Sequence, residues 1–134
     1  MFGCLDISTS GMVAQRTRMD VIAANLANKD AIYDTSGKYA PYRRRIVEFA
    51  PGDPASGSSM GVHVQKVSLD RSPLQARYQP GNPLADAQGN VYYPNVDSTI
   101  ELVNALEANR AYEANVTAAE NIKQMVQGAL QLLA

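Results

Sequence analysis

The sequence predicts a mainly α chain with a β-rich middle. Long N- and C-terminal helices form a coiled-coil layer, interrupted by an irregular β insertion. Three observations predict this. All seven prolines lie between residues 29 and 96, so both ends are free of the strongest helix breaker. Both ends carry apolar residues at heptad spacing. The middle instead holds short runs of β-branched and aromatic residues punctuated by glycine and proline. The resulting division is an N-terminal helix over 1–28, a β and loop insertion over 29–96, and a C-terminal helix over 97–134.

In the first segment Leu5, Met12, Met19 and Leu26 recur every seven residues, with Ile22 beside them. Seven residues make two helical turns, so these side chains share one stripe. Ser8, Gln15 and Arg16 stand where a tight two-stranded seam wants apolar groups, while Arg16, Arg18 and Asp20 keep part of the surface wet.

The middle reads as strands over 42–49 and 62–69, separated by a flexible loop over 51–61. Pro80-Gly81-Asn82-Pro83 is a tight-turn signal, and Gly89-Asn90 marks another turn before Val91, Tyr92 and Tyr93. A small sheet and an extended arm both fit this pattern. Arg43, Arg44 and Arg45 form the one dense charge run. Alternation along a strand sends Arg43 and Arg45 to one face and Arg44 to the other, as on a solvated edge strand protected by charge or one that pairs with a neighbouring subunit.

The last segment opens after Pro94-Asn95 with Ser98 and Glu101 in capping-box spacing. Ala105, Tyr112, Ala119, Val126 and Leu133 form an unbroken apolar column. Ala108, Ile122 and Ala129 lie to one side, and Leu102, Val116 and Leu130 extend the surface to about half the circumference. A helix of about 35 residues is roughly 50 Å long. Such a helix with so broad a small-residue face needs several close helical neighbours, or else it belongs to an ordinary two- or three-helix bundle. Asn109 and Asn115 interrupt the apolar surface, either as solvated residues or as buried ones that fix register.

Chemistry finds little purchase. The net charge of -1 offers no footprint for nucleic acid. Cys4 is the sole cysteine, which excludes an intrachain disulfide and a thiolate metal cluster. His63 is the sole histidine and reads as a strand residue. No nucleophile elbow, phosphate loop or zinc-ligand pair is present. Asp70, Asp86, Asp97 and Glu101 sit at turns or helix starts, where capping explains them. The reading is therefore no catalytic residue, no cofactor and no metal site. No run of about 20 apolar residues occurs, and the first residues lack the pattern of a Sec-type signal peptide. Composition alone reads as cytoplasmic, although export by a dedicated machine leaves no compositional mark.

Two stretches resemble the flagellar rod and hook axial proteins. One is Ala23-Ala24-Asn25-Leu26-Ala27-Asn28, similar to the asparagine-rich helix end shared across that family. The other runs from Tyr78-Gln79-Pro80-Gly81-Asn82-Pro83 through Tyr93-Pro94-Asn95-Val96-Asp97 to Arg110-Ala111-Tyr112-Glu113-Ala114-Asn115-Val116, and resembles a rod subunit in particular. Asn82 departs from the histidine common there, and Lys29-Asp30-Ala31 differs from hook-type relatives. The resemblance implies terminal helices packed as a coiled-coil layer lining a tube, with the β part outside. It also implies export through the flagellar type III apparatus without a cleaved signal, and a place in the basal-body rod within the periplasm. The implied partners are other rod proteins, copies of the chain itself and neighbouring base components, with no nucleic acid and no small-molecule substrate. The expected assembly interface is Leu5, Met12, Met19, Ile22 and Leu26 on the first helix. On the second it is Leu102, Ala105, Tyr112, Val116, Ala119, Ile122, Val126 and Leu133. The competing expectation is a soluble or secreted coiled-coil module that closes into a finite oligomer.

Overall fold

A computed structural model describes residues 2–134. Its elements in chain order are α1 (Phe2–Ala27), β1 (Arg45–Asp53), β2 (Ser58–Leu69), β3 (Gln75–Tyr78), β4 (Asn90–Tyr93) and α2 (Ser98–Leu133). The two helices pack side by side and antiparallel. Asn25 meets Glu101, Arg18 meets Glu107, and Gly11 lies against Asn115, so positions descend on α1 as they rise on α2. α2 has 36 residues and α1 has 26, which leaves the last turns of α2 beyond the start of α1.

The seam of this helix pair is narrow and made of small and polar groups. Ser8, Gly11, Ala14, Ile22 and Asn25 are buried on α1, and Glu101 and Ala108 on α2. A Cβ on Gly11 would stand 2.8 Å from the Asn115 Oδ1, so glycine permits the close approach there. The intrachain seam does not run along the heptad stripe. Leu5, Met12, Met19 and Leu26 flank the seam half-buried, while the positions read as too polar, Ser8 and Gln15, lie in or beside it. On α2 the residues facing α1 are Glu101, Ala108 and Asn115, one position set away from the Ala105–Leu133 column. Asn115 therefore sits half-buried in the seam, with its Nδ2 donating to the Ala111 carbonyl at 2.8 Å. Asn109 is exposed and donates to Glu113.

β1 and β2 form an antiparallel hairpin, from Arg45 opposite Leu69 to Asp53 opposite Ser58, with irregularities after Glu48 and after Pro51. The expected loop over 51–61 shrinks to residues 54–57, because Gly52 and Gly61 adopt positive φ of 83° and 89° and let the pairing continue around the bulge. At the other end the strand begins at Arg45, so Tyr42–Arg44 precede it. The hairpin lies along α1, where the Ser10 Oγ accepts the Val62 N–H at 3.1 Å. β3 and β4 make a second, separate two-stranded antiparallel sheet. The middle is thus a pair of small hairpins, not one sheet. α2 is capped by Asp97, whose carboxylate accepts the Thr99 and Ile100 N–H groups. This corrects the expected capping box, because Glu101 is engaged elsewhere. No described helix is long and apolar enough to cross a membrane.

Candidate assembly interface

Where the helix pair meets the β hairpins, four chain segments converge on a polar cluster. The Asn25 amide has all four of its hydrogen-bonding positions filled. Its Nδ2 donates to the Arg45 carbonyl at 2.9 Å and to the Glu101 Oε2 at 3.2 Å. Its Oδ1 accepts the Arg45 N–H at 2.9 Å and the Tyr42 hydroxyl at 3.0 Å. By taking both backbone groups of Arg45, the side chain pairs with the outer edge of β1 as a neighbouring strand would. Glu101, fully buried, accepts from the Arg44 Nε, and the Arg44 guanidinium also donates to the Asp70 Oδ2 at 3.3 Å. Asn95 accepts the Arg44 N–H at 2.9 Å and donates to the Asp70 carbonyl and to Ser72. The cluster ties the end of α1, the start of β1, the end of β2 and the start of α2 into one joint.

This joint overturns two expectations. Arg44 belongs to no solvated edge; its side chain is 22% exposed and bonded to two carboxylates. Glu101 is no mere cap but the buried counter-charge of Arg44. One signal for it stood in the sequence: a glutamate four residues before Ala105 and seven before Ala108, on the face that the helix buries. Its partner, 57 positions away, carried no local mark. Arg43 donates to the Asp70 and Ser72 carbonyls, and Arg45 stands exposed near the Tyr42 ring.

The expected interface residues divide by exposure. Ile22 is buried in the intrachain seam. Leu5, Met12, Met19 and Leu26 on α1, and Ala105, Tyr112, Val116, Ala119, Ile122 and Val126 on α2, are half-buried, each with a free flank. Leu102 and Leu133 are exposed, by 60% and 85%. The sequence reading missed a second apolar patch on the outer face of α2's first turns, made of Ile100, Val103 and Leu106, each more than half exposed. Their spacing of three was the available signal, but it falls outside the heptad column. Val13 on α1 is likewise exposed. The buried apolar side chains include Ala14, Ile22, Val91, Pro94, Val96 and Ala108.

The remaining polar groups serve local geometry. The His63 Nδ1–H donates to the Gly52 carbonyl at 2.8 Å and braces the bulge of the first hairpin. Hydrogen bonds from Ser36, Ser56, Ser72 and the Asn90 N–H hold Asp34, Asp53, Asp70 and Asp86, respectively, below the ordinary carboxylate pKa. Burial raises the Tyr42 hydroxyl above its usual value. No group of three or more His, Cys, Asp or Glu side chains suited to a metal ion occurs among the described residues.

Two family models match the chain: "Flagella basal body rod protein" over residues 5–31 and "Flagellar basal body rod FlgEFG protein C-terminal" over residues 87–132. They cover the two helices and leave the first hairpin between them. Among similar curated proteins, the flagellar basal-body rod protein FlgC of Escherichia coli O6:H1 is 39% identical, across 98% of this chain and 97% of its own length. That of Bacillus subtilis is also 39% identical, at the same coverage. That of Borreliella burgdorferi is 35% identical over 99% of this chain and 97% of its own. The similarity thus runs through the joint and both hairpins as well as the helices. The chain belongs to the family of flagellar basal-body rod proteins FlgC and is a structural subunit of the basal-body rod.

Proposed function

We propose that this subunit builds the proximal part of the rod through its terminal helices, which pack with those of neighbours into a coiled-coil layer around a tube and transmit torque. The observation that carries the proposal is the mismatch between the helices' apolar surface and their own seam. That seam is narrow and polar, while Leu102, Val103, Leu106, Met125, Leu130 and Leu133 stay more than half exposed. Large apolar side chains left exposed at both ends of α2 mark surfaces for neighbours. The neighbours are copies of the chain, other rod proteins and base components. In this reading the subunit is exported by the flagellar type III apparatus without a cleaved signal and works within the periplasm. It carries no active site, binds no cofactor and acts on no small molecule or nucleic acid.

Ala119 is half-buried, with part of its surface free for a neighbour. An aspartate there buries an unpaired charge once subunits pack, so Ala119→Asp abolishes swimming in a strain dependent on this chain. Normal motility of that strain contradicts the packing. A closed soluble oligomer, the competing reading, would appear in sedimentation as a discrete species of fixed mass.

A further inference from the structure

A two-stranded sheet has free edges, whose outward N–H and carbonyl groups can pair with a strand of another chain. β4 has such an edge, because β3 covers only its other side. Antiparallel pairing turns alternate residues outward, and on β4 these are Asn90 and Tyr92, with residue 94 next in line. Each position is closed. The Asp86 Oδ1 accepts the Asn90 N–H at 2.8 Å, and the Asp86 N–H donates to the Asn90 carbonyl at 3.0 Å. Residue 94 is proline, which has no N–H to offer. At the centre, the Tyr39 hydroxyl accepts the Tyr92 N–H at 3.0 Å and donates to the Tyr92 carbonyl at 2.9 Å. One phenol thus fills both places that a further strand would take, as the Asn25 amide does on Arg45 of β1.

Asp86 and Pro94 flank β4 in the chain, but Tyr39 comes from 53 positions before Tyr92. It stands on a strap over residues 31–42 that is stitched by its own backbone. The Tyr42 N–H donates to the Ala31 carbonyl, the Ala40 N–H to Ile32 and the Asp34 N–H to Lys38, at 2.9, 2.8 and 2.9 Å. The Asp34 Oδ1 closes the tip by accepting the Ser36 and Lys38 N–H groups, both at 2.9 Å. The strap therefore holds its shape by itself and reaches the β4 edge through the Tyr39 hydroxyl. We infer that the strap is a latch and Tyr39 its bolt, which keeps β4 from pairing with a strand of another chain.

The purified full chain tests this, because an opened antiparallel edge can pair with the same edge of a second copy about a two-fold axis. Tyr39→Phe removes both bonds and keeps the ring. The Tyr92 amide should then exchange at least about tenfold faster, and the associated fraction in sedimentation should rise severalfold above that of the parent chain. Tyr33→Phe, opposite it on the strap, should change neither. Adding Tyr92→Pro to Tyr39→Phe removes the outward N–H without taking a bond from β3, and should return association to the parent level. Association that persists in the double variant overturns the inference, as does a Tyr39→Phe chain no more associated than its parent. The parent chain offers a check that needs no substitution. Its Tyr92 amide should be protected about as well as that of Val91, and exchange as fast as in an exposed loop would show that no latch is closed there.

Discussion

At the scale of single residues, the joint depends on a buried charge. Glu101 is removed from water completely and is neutralised by Arg44, while Asn25 binds its second oxygen. Desolvating such a pair costs several kcal/mol, so its presence is weak grounds for net stability, but breaking it is another matter. Glu101→Leu leaves the guanidinium with Asp70 alone and deprives the Asn25 Nδ2 of one acceptor. A loss of about 3–5 kcal/mol is expected from removing one partner of a buried pair. The double variant Arg44→Met with Glu101→Leu should recover most of that loss. Urea denaturation of the four members of the cycle measures the coupling. Equal, additive losses would show that the two side chains act independently and that the joint is not built on their charge.

At the scale of elements, the helices were legible because proline-free sequence and heptad spacing are local properties. The faces they bury were not. Leu5, Met12 and Met19 drew the eye to an apolar stripe, yet a two-helix seam this close selects Ser8, Gly11 and Ala14, since small groups let the backbones approach. The first hairpin was legible in its strands but not in its length, because Gly52 and Gly61 act through positive φ inside what read as a loop. Aspartates anchor the turns. Asp86 accepts the Gln88 and Asn90 N–H groups at 3.0 and 2.8 Å and the Tyr92 hydroxyl at 3.2 Å, fastening the turn before β4. These bonds, that from Asn90 foremost, lower its pKa below 3.8. A carboxylate depressed in the folded state contributes stability that is present above its unfolded pKa and disappears as pH falls through the folded one. Thermal midpoints should therefore hold from pH 7 down to about pH 4 and drop below that. Asp86→Asn keeps an acceptor but cannot titrate, so its midpoint should fall less steeply between pH 4 and pH 2. An unchanged slope in that variant would place the acid sensitivity elsewhere.

At the scale of the whole molecule, the buried apolar set is small and unevenly placed. Val91 lies on β4, Val96 next to Asn95 of the joint, Ala108 and Ile22 within about two turns along the helix pair, and Ala14 near the middle of α1. Beyond that, α2 continues with Met125 and the terminal leucines facing solvent. Protection against exchange follows buried contacts and local packing, so it should decline along the pair from the joint towards the tip. In the dilute, isolated chain, amides near Asn25, Arg45 and Glu101 should exchange slowest, and those of α2 after Met125 fastest. Incorporation into rods should slow the second group by orders of magnitude, because only a neighbour covers those leucines. Hydrogen exchange read by mass spectrometry, on monomer and on purified basal bodies, separates the two states. Uniformly slow exchange from Ser98 to Leu133 in the monomer would mean that the helix is already held along its whole length. The uncovered leucines would then no longer be a reason for this chain to join others.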